Sequence, residues 1–215
     1  MSKFIAPIIF SLVSALLLFT NPASAGDGDI ISQWDKVTVP DAPKLQPVTV
    51  NPSLTALLIL DIEERTCNQK RRPRCLDTVP RIAAFLKQAR AKKMMVAYSL
   101  TRKGTPQTIL PGVRPLGDEP IVQSSVNKFY GTNLWEALEA KGIKTVIITG
   151  TAAHGAVLHT ATAASSQHKL QVIIPVDGLS ASSLYIEQAT LINLITGPGT
   201  RKNTILTKLS MISTE

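Results

Sequence analysis

Two places in the sequence combine chemically useful groups with a position that favours a ligand site. Asp61 ends the apolar run 55–61, and the turn 150–156 follows the apolar run 145–149. If these runs are parallel strands of one sheet, ligands bind beyond their carboxyl ends. A carboxylate can transfer protons there, and the free N–H groups at the start of a helix can hold an anion or a developing oxyanion. The sequence therefore predicts a cleft between Asp61 and this turn.

Both sites also have simpler structural interpretations. Asp61 can cap the following segment or form an ion pair with Arg65, which lies four residues later. His154, inside the turn, can contact a ligand at the rim of the cleft or form hydrogen bonds at a helix start that faces solvent. His159 and His168 have the positions of packed or surface residues. The residue types alone leave the roles of Asp61 and His154 open.

Alternating strands and helices would position these groups. The helical spacing of Ile82, Phe85, Leu86 and Ala89 is typical of an amphipathic helix, and the apolar runs are typical of strands buried on both faces. This alternation predicts an α/β fold with three layers, α/β/α, and a doubly wound, mainly parallel sheet. The expected strands are 55–61, 94–99, 145–149, 171–175 and 204–208, and the expected helices are 79–93, 133–141, 155–168 and 184–196.

The N-terminus has the pattern of a secretory signal peptide. Lys3 precedes an apolar stretch from 4 to 19, and the small residues 23–25 form a cleavage site. The stretch is shorter than the roughly 18 to 20 residues of a membrane-spanning helix, and Pro7 and Ser11 interrupt it. No cysteine directly follows the cleavage site to carry a lipid, so we expect no stable membrane anchor.

Cleavage after residue 25 would release a periplasmic or secreted protein. The pattern divides the chain into the signal peptide 1–25, an extended N-terminal leader 26–53 rich in Pro, Asp and Ser, and one domain, 54–215. A chain of this length can bury one sizeable core.

The charge of the chain indicates which binding partners to expect. The chain carries a net charge of +8, but its densest basic stretch, 70–74, contains no aromatic residue that would stack on bases, so we expect no nucleic-acid partner. The basic loop 65–74 is either a cationic rim over the cleft that favours an anionic substrate, or a solvated surface loop.

Cys67 and Cys75 are the only cysteines, and in an exported protein such a pair predicts a disulfide. A metal pair or a catalytic thiol would need neighbouring groups that this segment lacks.

Three blocks in this order and spacing resemble the isochorismatase-like hydrolase superfamily, which includes nicotinamidases and other cysteine amidohydrolases. They are TALLILDIEE at 55–64, NKFYGTNLWEAL at 127–138 and KTVIITGTAAHGAVLHTATAAS at 144–165. VIIPVDGLSA at 172–181 extends the resemblance, which covers residues 54–208. It implies the same α/β fold as the pattern of strands and helices.

The resemblance assigns a catalytic trio of Asp, Lys and Cys, of which this chain has only two members. Asp61 and Lys128 match, whereas Ala156 stands at the cysteine position. A methyl group cannot attack a carbonyl, so the acyl-enzyme mechanism of the cysteine amidases is excluded. The resemblance also implies a cis peptide bond between Thr151 and Ala152, with the backbone donors of Ala152 and Ala156 facing the cleft.

Isochorismatases proper, which cleave a vinyl ether without a cysteine, carry Ala-His in the turn and a small residue at the cysteine position. The pair at 153–154 and Ala156 fit that subgroup. The resemblance implies that Asp61 acts there as a general acid on the enol-ether carbon and that Lys128 organises the charge. Two departures stand near the pocket: Glu63 replaces a frequent Gln, and Tyr-Gly-Thr at 130–132 replaces the usual Ser-Ala-Phe.

These observations predict a hydrolase of a small molecule, anionic if the basic loop 65–74 forms the rim of the cleft, without a metal or other cofactor. Nicotinamidases hold a metal through Asp and His near the second strand, and the segment 98–103 has no such residues. The alternative is a catalytically inactive periplasmic protein that binds a small molecule in the retained pocket. Family relatives are commonly oligomeric, so the resemblance also implies a homo-oligomer.

Overall fold

A computed structural model describes residues 28–215, so the predicted signal peptide lies outside the described residues. The described residues fall into two units, 28–42 and 43–215. The described part of the first unit contains one 3₁₀ turn, Trp34–Lys36, and exposes several large apolar side chains. In the second unit, strand β1 (Val48–Val50) pairs in parallel with β9 (Ile212–Thr214), which joins the segment before residue 54 to the end of the chain.

The second unit is built on a seven-stranded parallel sheet. Its strands are β2 (Thr55–Leu60), β3 (Met95–Leu100), β4 (Ile121–Gln123), β5 (Thr145–Thr151), β6 (Gln171–Pro175), β7 (Leu179–Ser180) and β8 (Thr204–Thr207). The order across the sheet is β4-β3-β2-β5-β6-β8, and β7 pairs with the end of β5. The helices are α1 (Pro73–Ala91), α2 (Leu134–Ala140), α3 (Leu158–Ser166) and α4 (Leu184–Thr196).

Alternate side chains of the central strand feed two separate apolar clusters. In β2, where every residue is buried, Leu58 and Leu60 pack with residues of α2, α3 and α4, whereas Leu57 and Ile59 pack with residues of α1. Because neighbouring residues of a strand point to opposite faces, a strand buried on both sides must be apolar throughout. The helices therefore cover both faces of the sheet, and the predicted three-layer α/β fold is confirmed.

The observed elements differ from the predicted ones mainly at their ends. Helix α1 begins at Pro73 rather than at residue 79, with a proline in its first turn, where the missing N–H costs nothing. Pro80 lies inside this helix on its exposed side. The short strands β1, β4, β7 and β9 were not predicted, because two or three residues are too few for a recognisable alternation. Within residues 28–215, no helix is both long and apolar enough to cross a bilayer.

The sheet topology brings three strand ends together. Strand β2 lies between β3 and β5, and Leu60 is paired with Ser99 on one side and Gly150 on the other. After β2 the chain adds β3 and β4 in one direction and, from β5 onwards, adds strands in the other direction. This reversal of strand order creates a crevice at the carboxyl ends of the strands.

Candidate active site

Asp61 stands at this crevice, directly after β2. Its backbone is left-handed, with φ 53°, a conformation that Asp adopts more readily than most residues other than glycine. The backbone N–H donates to the carbonyl of Ser99 at 3.1 Å, and the Ser99 hydroxyl donates to the Asp61 carboxylate at 2.7 Å. The Thr66 hydroxyl donates to the Asp61 carbonyl. These contacts fix both the backbone and the side chain of Asp61.

Lys128 is the ion-pair partner of Asp61. Its ammonium lies 2.8 Å from the second carboxylate oxygen of Asp61, and the lysine side chain is completely buried. The same ammonium donates to the carbonyls of Leu100, Ser124 and Ser125 at 3.2, 3.3 and 2.7 Å. Arg65, the alternative partner suggested by the sequence, is exposed. The structure therefore brings together the two charged residues that the resemblance assigned.

Burial has a larger effect on the pKa of Asp61 than Lys128 has. Loss of solvent raises the pKa of the Asp61 carboxyl above its ordinary value, while the charge and hydrogen bond of Lys128 and the hydroxyl of Ser99 act in the opposite direction. A raised pKa keeps a larger share of a carboxyl group protonated at a given pH. This is the property that a general acid requires.

The turn after β5 forms the opposite wall of the crevice. Gly150, at φ 123°, lies so close to β2 that a Cβ atom would stand 2.1 Å from the carbonyl oxygen of Leu60, so only glycine fits. The peptide bond between Thr151 and Ala152 is cis, as the resemblance predicted. The Thr151 hydroxyl donates to the carbonyl of Ser180 in β7, which anchors the turn to the sheet.

The turn continues into α3 through one π-helical turn, Ala153–Val157. Ala156, to which the resemblance assigns the cysteine position, lies in this turn and is buried. Ser165 lies further along α3, and its hydroxyl is engaged in a hydrogen bond to the carbonyl of Gly199. If the assignment by resemblance holds, a methyl group stands where the cysteine amidases have their thiolate.

These residues face a common open cavity of about 390 Å³. Of the residues singled out in the sequence, Asp61, Thr151, Ala152, His154 and Ala156 line it. Lys128 is buried behind Asp61 and does not line the cavity. The volume is within the range of small-molecule sites.

Three arginines give the cavity an excess of positive charge. Arg71 and Arg72 come from the basic loop 65–74, and Arg102 follows β3. Burial, the charge of Arg72 and, more weakly, the charge of His159 lower the pKa of His154. Part of the basic loop therefore lines the cavity, while Arg65 and Lys70 of the same loop are exposed and do not.

Glu63, which replaces the family's frequent Gln, does not line the cavity. It is completely buried, and its carboxylate accepts hydrogen bonds from the Thr101 N–H at 2.6 Å and from the hydroxyls of Thr101 and Thr108 at 3.3 and 3.5 Å. Burial raises its pKa, and the hydrogen bond from the Thr101 backbone opposes this shift. The carboxylate holds the loop after β3, which carries Arg102.

The other two histidines lie outside the cavity lining. His159 is exposed on α3. The His168 ring stacks on Trp135 with a centroid distance of 4.2 Å and contacts the ring of Phe129 at 4.5 Å. His168 therefore joins the end of α3 to α2 and has a packing role.

Cys67 and Cys75 form the predicted disulfide, which is confirmed with an S–S distance of 1.99 Å. Both cysteines are buried. The bridge links the segment after Asp61 to the first turn of α1 and so constrains the loop that carries Arg71 and Arg72.

The donor groups in the cavity do not fit a metal ion. Asp61, already paired with Lys128 and Ser99, and His154 are the only carboxylate and imidazole groups in its lining. Over residues 28–215 there is no group of three or more His, Cys, Asp or Glu residues arranged to hold a metal. Zinc sites have three or four protein ligands, and the one carboxylate that a magnesium ion could use here is already paired with Lys128.

Ser99, Arg72 and Arg102 were not identified individually as site residues from the sequence. Ser99 could have been identified from the sequence, because it lies near the carboxyl end of the strand next to Asp61, and ligands bind at the carboxyl ends of parallel strands. Arg72 could not, because the four basic residues within 70–74 are equivalent in the sequence, and only the fold shows which of them line the cavity.

Comparison with known proteins gives one family. Residues 55–202 match a family model described as the isochorismatase domain. No curated protein matches the sequence.

Solved structures of isochorismatase family proteins and of related hydrolases share the fold of this chain. An isochorismatase family protein from Desulfovibrio vulgaris has 20% sequence identity and a TM-score of 0.66, covering 73% of this chain and 95% of its own. A cysteine hydrolase from Pseudomonas syringae has 19% identity and a TM-score of 0.65, covering 79% and 94%. The N-carbamoylsarcosine amidase from Thermoplasma acidophilum has 20% identity and a TM-score of 0.61, covering 72% and 96%. At these identities the similarity shows a common fold.

Proposed function

Because the chain belongs to the isochorismatase domain family of hydrolases, we propose that it hydrolyses a small, anionic molecule without a cysteine nucleophile and without a metal ion. The observation that carries this proposal is the buried carboxyl of Asp61, whose pKa is raised although it lies 2.8 Å from the Lys128 ammonium. Ala156 excludes covalent catalysis at the family's position, so proton transfer from Asp61 is the chemistry that remains.

A vinyl ether is a substrate class that needs only an acid and water. Protonation of the terminal enol carbon by Asp61 gives an oxocarbenium ion, to which water adds. The added water gives one proton back to the Asp61 carboxylate, which leaves a neutral hemiketal. As the C–O bond to the leaving group breaks, the proton of the hemiketal hydroxyl passes to the departing oxygen, and the products are an alcohol and a ketone. Lys128, held by three backbone carbonyls, stabilises the Asp61 carboxylate once its proton has left.

The charge around the cavity supports an anionic substrate. Arg71, Arg72 and Arg102 line the cavity, whereas its one carboxylate, Asp61, is paired with Lys128. The potential in the cavity is therefore positive, which attracts small anions and raises their local concentration.

Export to an oxidising compartment is part of the same proposal. The disulfide between the chain's only two cysteines supports it, because such bonds are rare in reducing compartments. Intact-mass measurement of the periplasmic protein should give a chain that begins at Gly26 and gains two alkylatable thiols only after reduction. A chain that keeps Met1, or thiols that react without reduction, would contradict export or the disulfide, respectively.

A binding protein without turnover is the second candidate, and Ala156 is the observation that favours it. Replacing the nucleophile removes amidase chemistry while the buried ion pair and the cavity remain. A ligand that saturates the cavity without conversion would establish this function.

Screening vinyl ethers and small anionic esters and amides tests the hydrolase. Any turnover should fall by at least about a hundredfold in Asp61→Asn, which cannot donate a carboxyl proton. Glu64→Gln is the matched control, because this exposed carboxylate does not line the cavity and its loss should leave the rate unchanged. Turnover that survives in Asp61→Asn would show that Asp61 is not the acid.

A further inference from the structure

The cavity wall contributed by the disulfide-bridged loop is built around Arg72. This residue directly precedes helix α1 and is half-buried. Its backbone N–H donates to the carbonyl of Asn68 at 2.9 Å, and its own carbonyl accepts from the N–H of Cys75 at 3.0 Å. The backbone of Arg72 is thus fixed between the two bridged cysteines, and its position against the cavity is set before any ligand binds.

The hydrogen bonds of Arg72 leave one edge of its guanidinium unused. Nη1 donates to the carbonyl of Thr66 at 3.1 Å. Nε is buried and has no partner in the described part of the chain, and none of the hydrogen bonds found there involves Nη2. A buried donor without an acceptor destabilises the folded protein, so an acceptor supplied by a ligand is favourable there. The Nε–Nη2 edge, with its two parallel N–H groups, is the edge that matches a carboxylate in bidentate geometry.

Within residues 28–215, no carboxylate lies at ion-pair distance from the Arg72 guanidinium. Asp61, the one acidic residue in the cavity lining, is held by Lys128 at 2.8 Å and by Ser99. Arg71, on the same side of the cavity, adds positive charge. The cavity therefore holds an unpaired cation beside the proposed acid.

We propose that Arg72 is the residue that recognises the substrate, by binding a carboxylate group of the ligand along its Nε–Nη2 edge. A small rotation of the half-buried side chain turns this edge to the cavity and gives Nε the acceptor that the protein does not supply. The bond to be cleaved then lies beside Asp61. The substrate class is a small organic carboxylate, and this assignment rests on the hydrolase proposed above for the choice of Asp61 as the reacting end.

Binding of a carboxylate and its uncharged counterpart tests this assignment without any need for turnover. Benzoate and benzamide have nearly the same shape and differ in charge. Titration of the full exported chain, followed by NMR shifts or calorimetry at constant ionic strength and low chloride, should show benzoate binding at least about tenfold more tightly than benzamide.

Three variants locate the interaction. Arg72→Gln should weaken the binding of benzoate at least about tenfold and leave the binding of benzamide unchanged. Arg72→Lys should give an intermediate loss of benzoate affinity, because an ammonium keeps the charge but lacks the pair of parallel donors. Lys70→Gln is the matched control, since it removes the same charge from an exposed position of the same loop and should change benzoate binding less than about twofold. Thermal denaturation checks that each variant is folded.

Several results would overturn the assignment: equal binding of benzoate and benzamide, an unchanged benzoate affinity in Arg72→Gln, or an equal loss in Lys70→Gln. If Arg72→Gln does not fold, Arg72→Lys and the ratio between the two ligands decide the question in the same way. The results that would contradict the proposed reaction differ from those that would contradict the binding role of Arg72. Arg72-dependent binding without turnover of any anionic substrate would leave this inference standing and contradict the hydrolase, whereas Asp61-dependent turnover with no effect of Arg72 would do the reverse.

Discussion

The buried ion pair between Lys128 and Asp61 should make its largest contribution to stability when both partners are present. We consider Lys128→Met, which keeps the length of the side chain, Asp61→Asn, which keeps its shape, and the double variant. Each single change leaves one buried charged group without its partner, whereas the double change removes both charges.

The structure sets the size of these effects. Without Lys128, the Asp61 carboxylate keeps the hydrogen bond from Ser99, but three buried or half-buried carbonyls lose a donor. Breaking a buried pair in this way costs about 3–5 kcal/mol. In Asp61→Asn the ammonium keeps its three carbonyls, so we expect a smaller loss of about 1–3 kcal/mol. The double variant should be more stable than the sum of the two losses predicts by at least about 1 kcal/mol.

The loss in Lys128→Met should also depend on pH. Burial already raises the pKa of Asp61, and removal of the ammonium removes the main opposing influence, so the folded-state pKa rises further. A carboxyl whose folded pKa exceeds its unfolded value contributes stability below the unfolded pKa and loses that contribution as the pH rises through the folded one. The destabilisation should therefore grow from pH 4 towards neutrality, relative to the unmodified chain.

Urea denaturation of the disulfide-bonded protein, followed by circular dichroism and the fluorescence of Trp135, measures these differences at several pH values. Lys141→Met, an exposed lysine at the end of α2, is the control and should change stability by less than about 0.5 kcal/mol. A loss in Lys128→Met below about 1 kcal/mol at pH 7, or one that does not change with pH, would refute the account of the buried pair.

Three further changes test other parts of the site. Gly104→Ala places a Cβ 2.0 Å from the Glu63 carboxylate and should destabilise the fold by about 1–3 kcal/mol in urea titrations; an unchanged midpoint would contradict the tight packing around this carboxylate. Ala156→Cys supplies the only free thiol, and the pH dependence of its alkylation should have a midpoint below the ordinary value of about 8.5, whereas a midpoint at or above it would show that the site does not favour a thiolate. Replacing Cys67 and Cys75 together by Ala should cost about 2–3 kcal/mol, measured by thermal denaturation, and a neutral result would contradict the constraining role of the bridge.

Much of the fold follows from the pattern of apolar residues. Helix α4 and strand β6 have the predicted ends, because their apolar spacing is clear and their boundaries are sharp: Ser183 caps α4 through the N–H of Ile186. The start of α1 was wrong by six residues. Pro80 disfavours a helix that passes through it, and only the structure shows that this proline lies on the exposed side.

The candidate site was predictable to a different extent at each residue. Asp61 could be placed from the sequence alone, because the end of a strand has a known position in a parallel sheet. Lys128 could be placed only by resemblance, since the segment around it has no regular structure and no periodicity that fixes the direction of its side chain. The orientation of Arg72 could not be predicted, because it depends on the disulfide and on a hydrogen bond to the carbonyl of Thr66 in the irregular segment before α1.

Several residues at the cavity carry features that are costly in the folded protein before any ligand binds. Lys128 is fully buried, Asp61 combines a left-handed backbone with a buried carboxyl of raised pKa, and Nε of Arg72 lacks an acceptor. Strained backbone and perturbed pKa values of this kind cluster at functional sites, where a ligand or a reaction makes use of them. The resemblance assigns the cysteine position to Ala156, and these features remain beside it. Both proposals rest on them, and the rate of Asp61→Asn on a substrate that binds through Arg72 separates an enzyme from a binding protein.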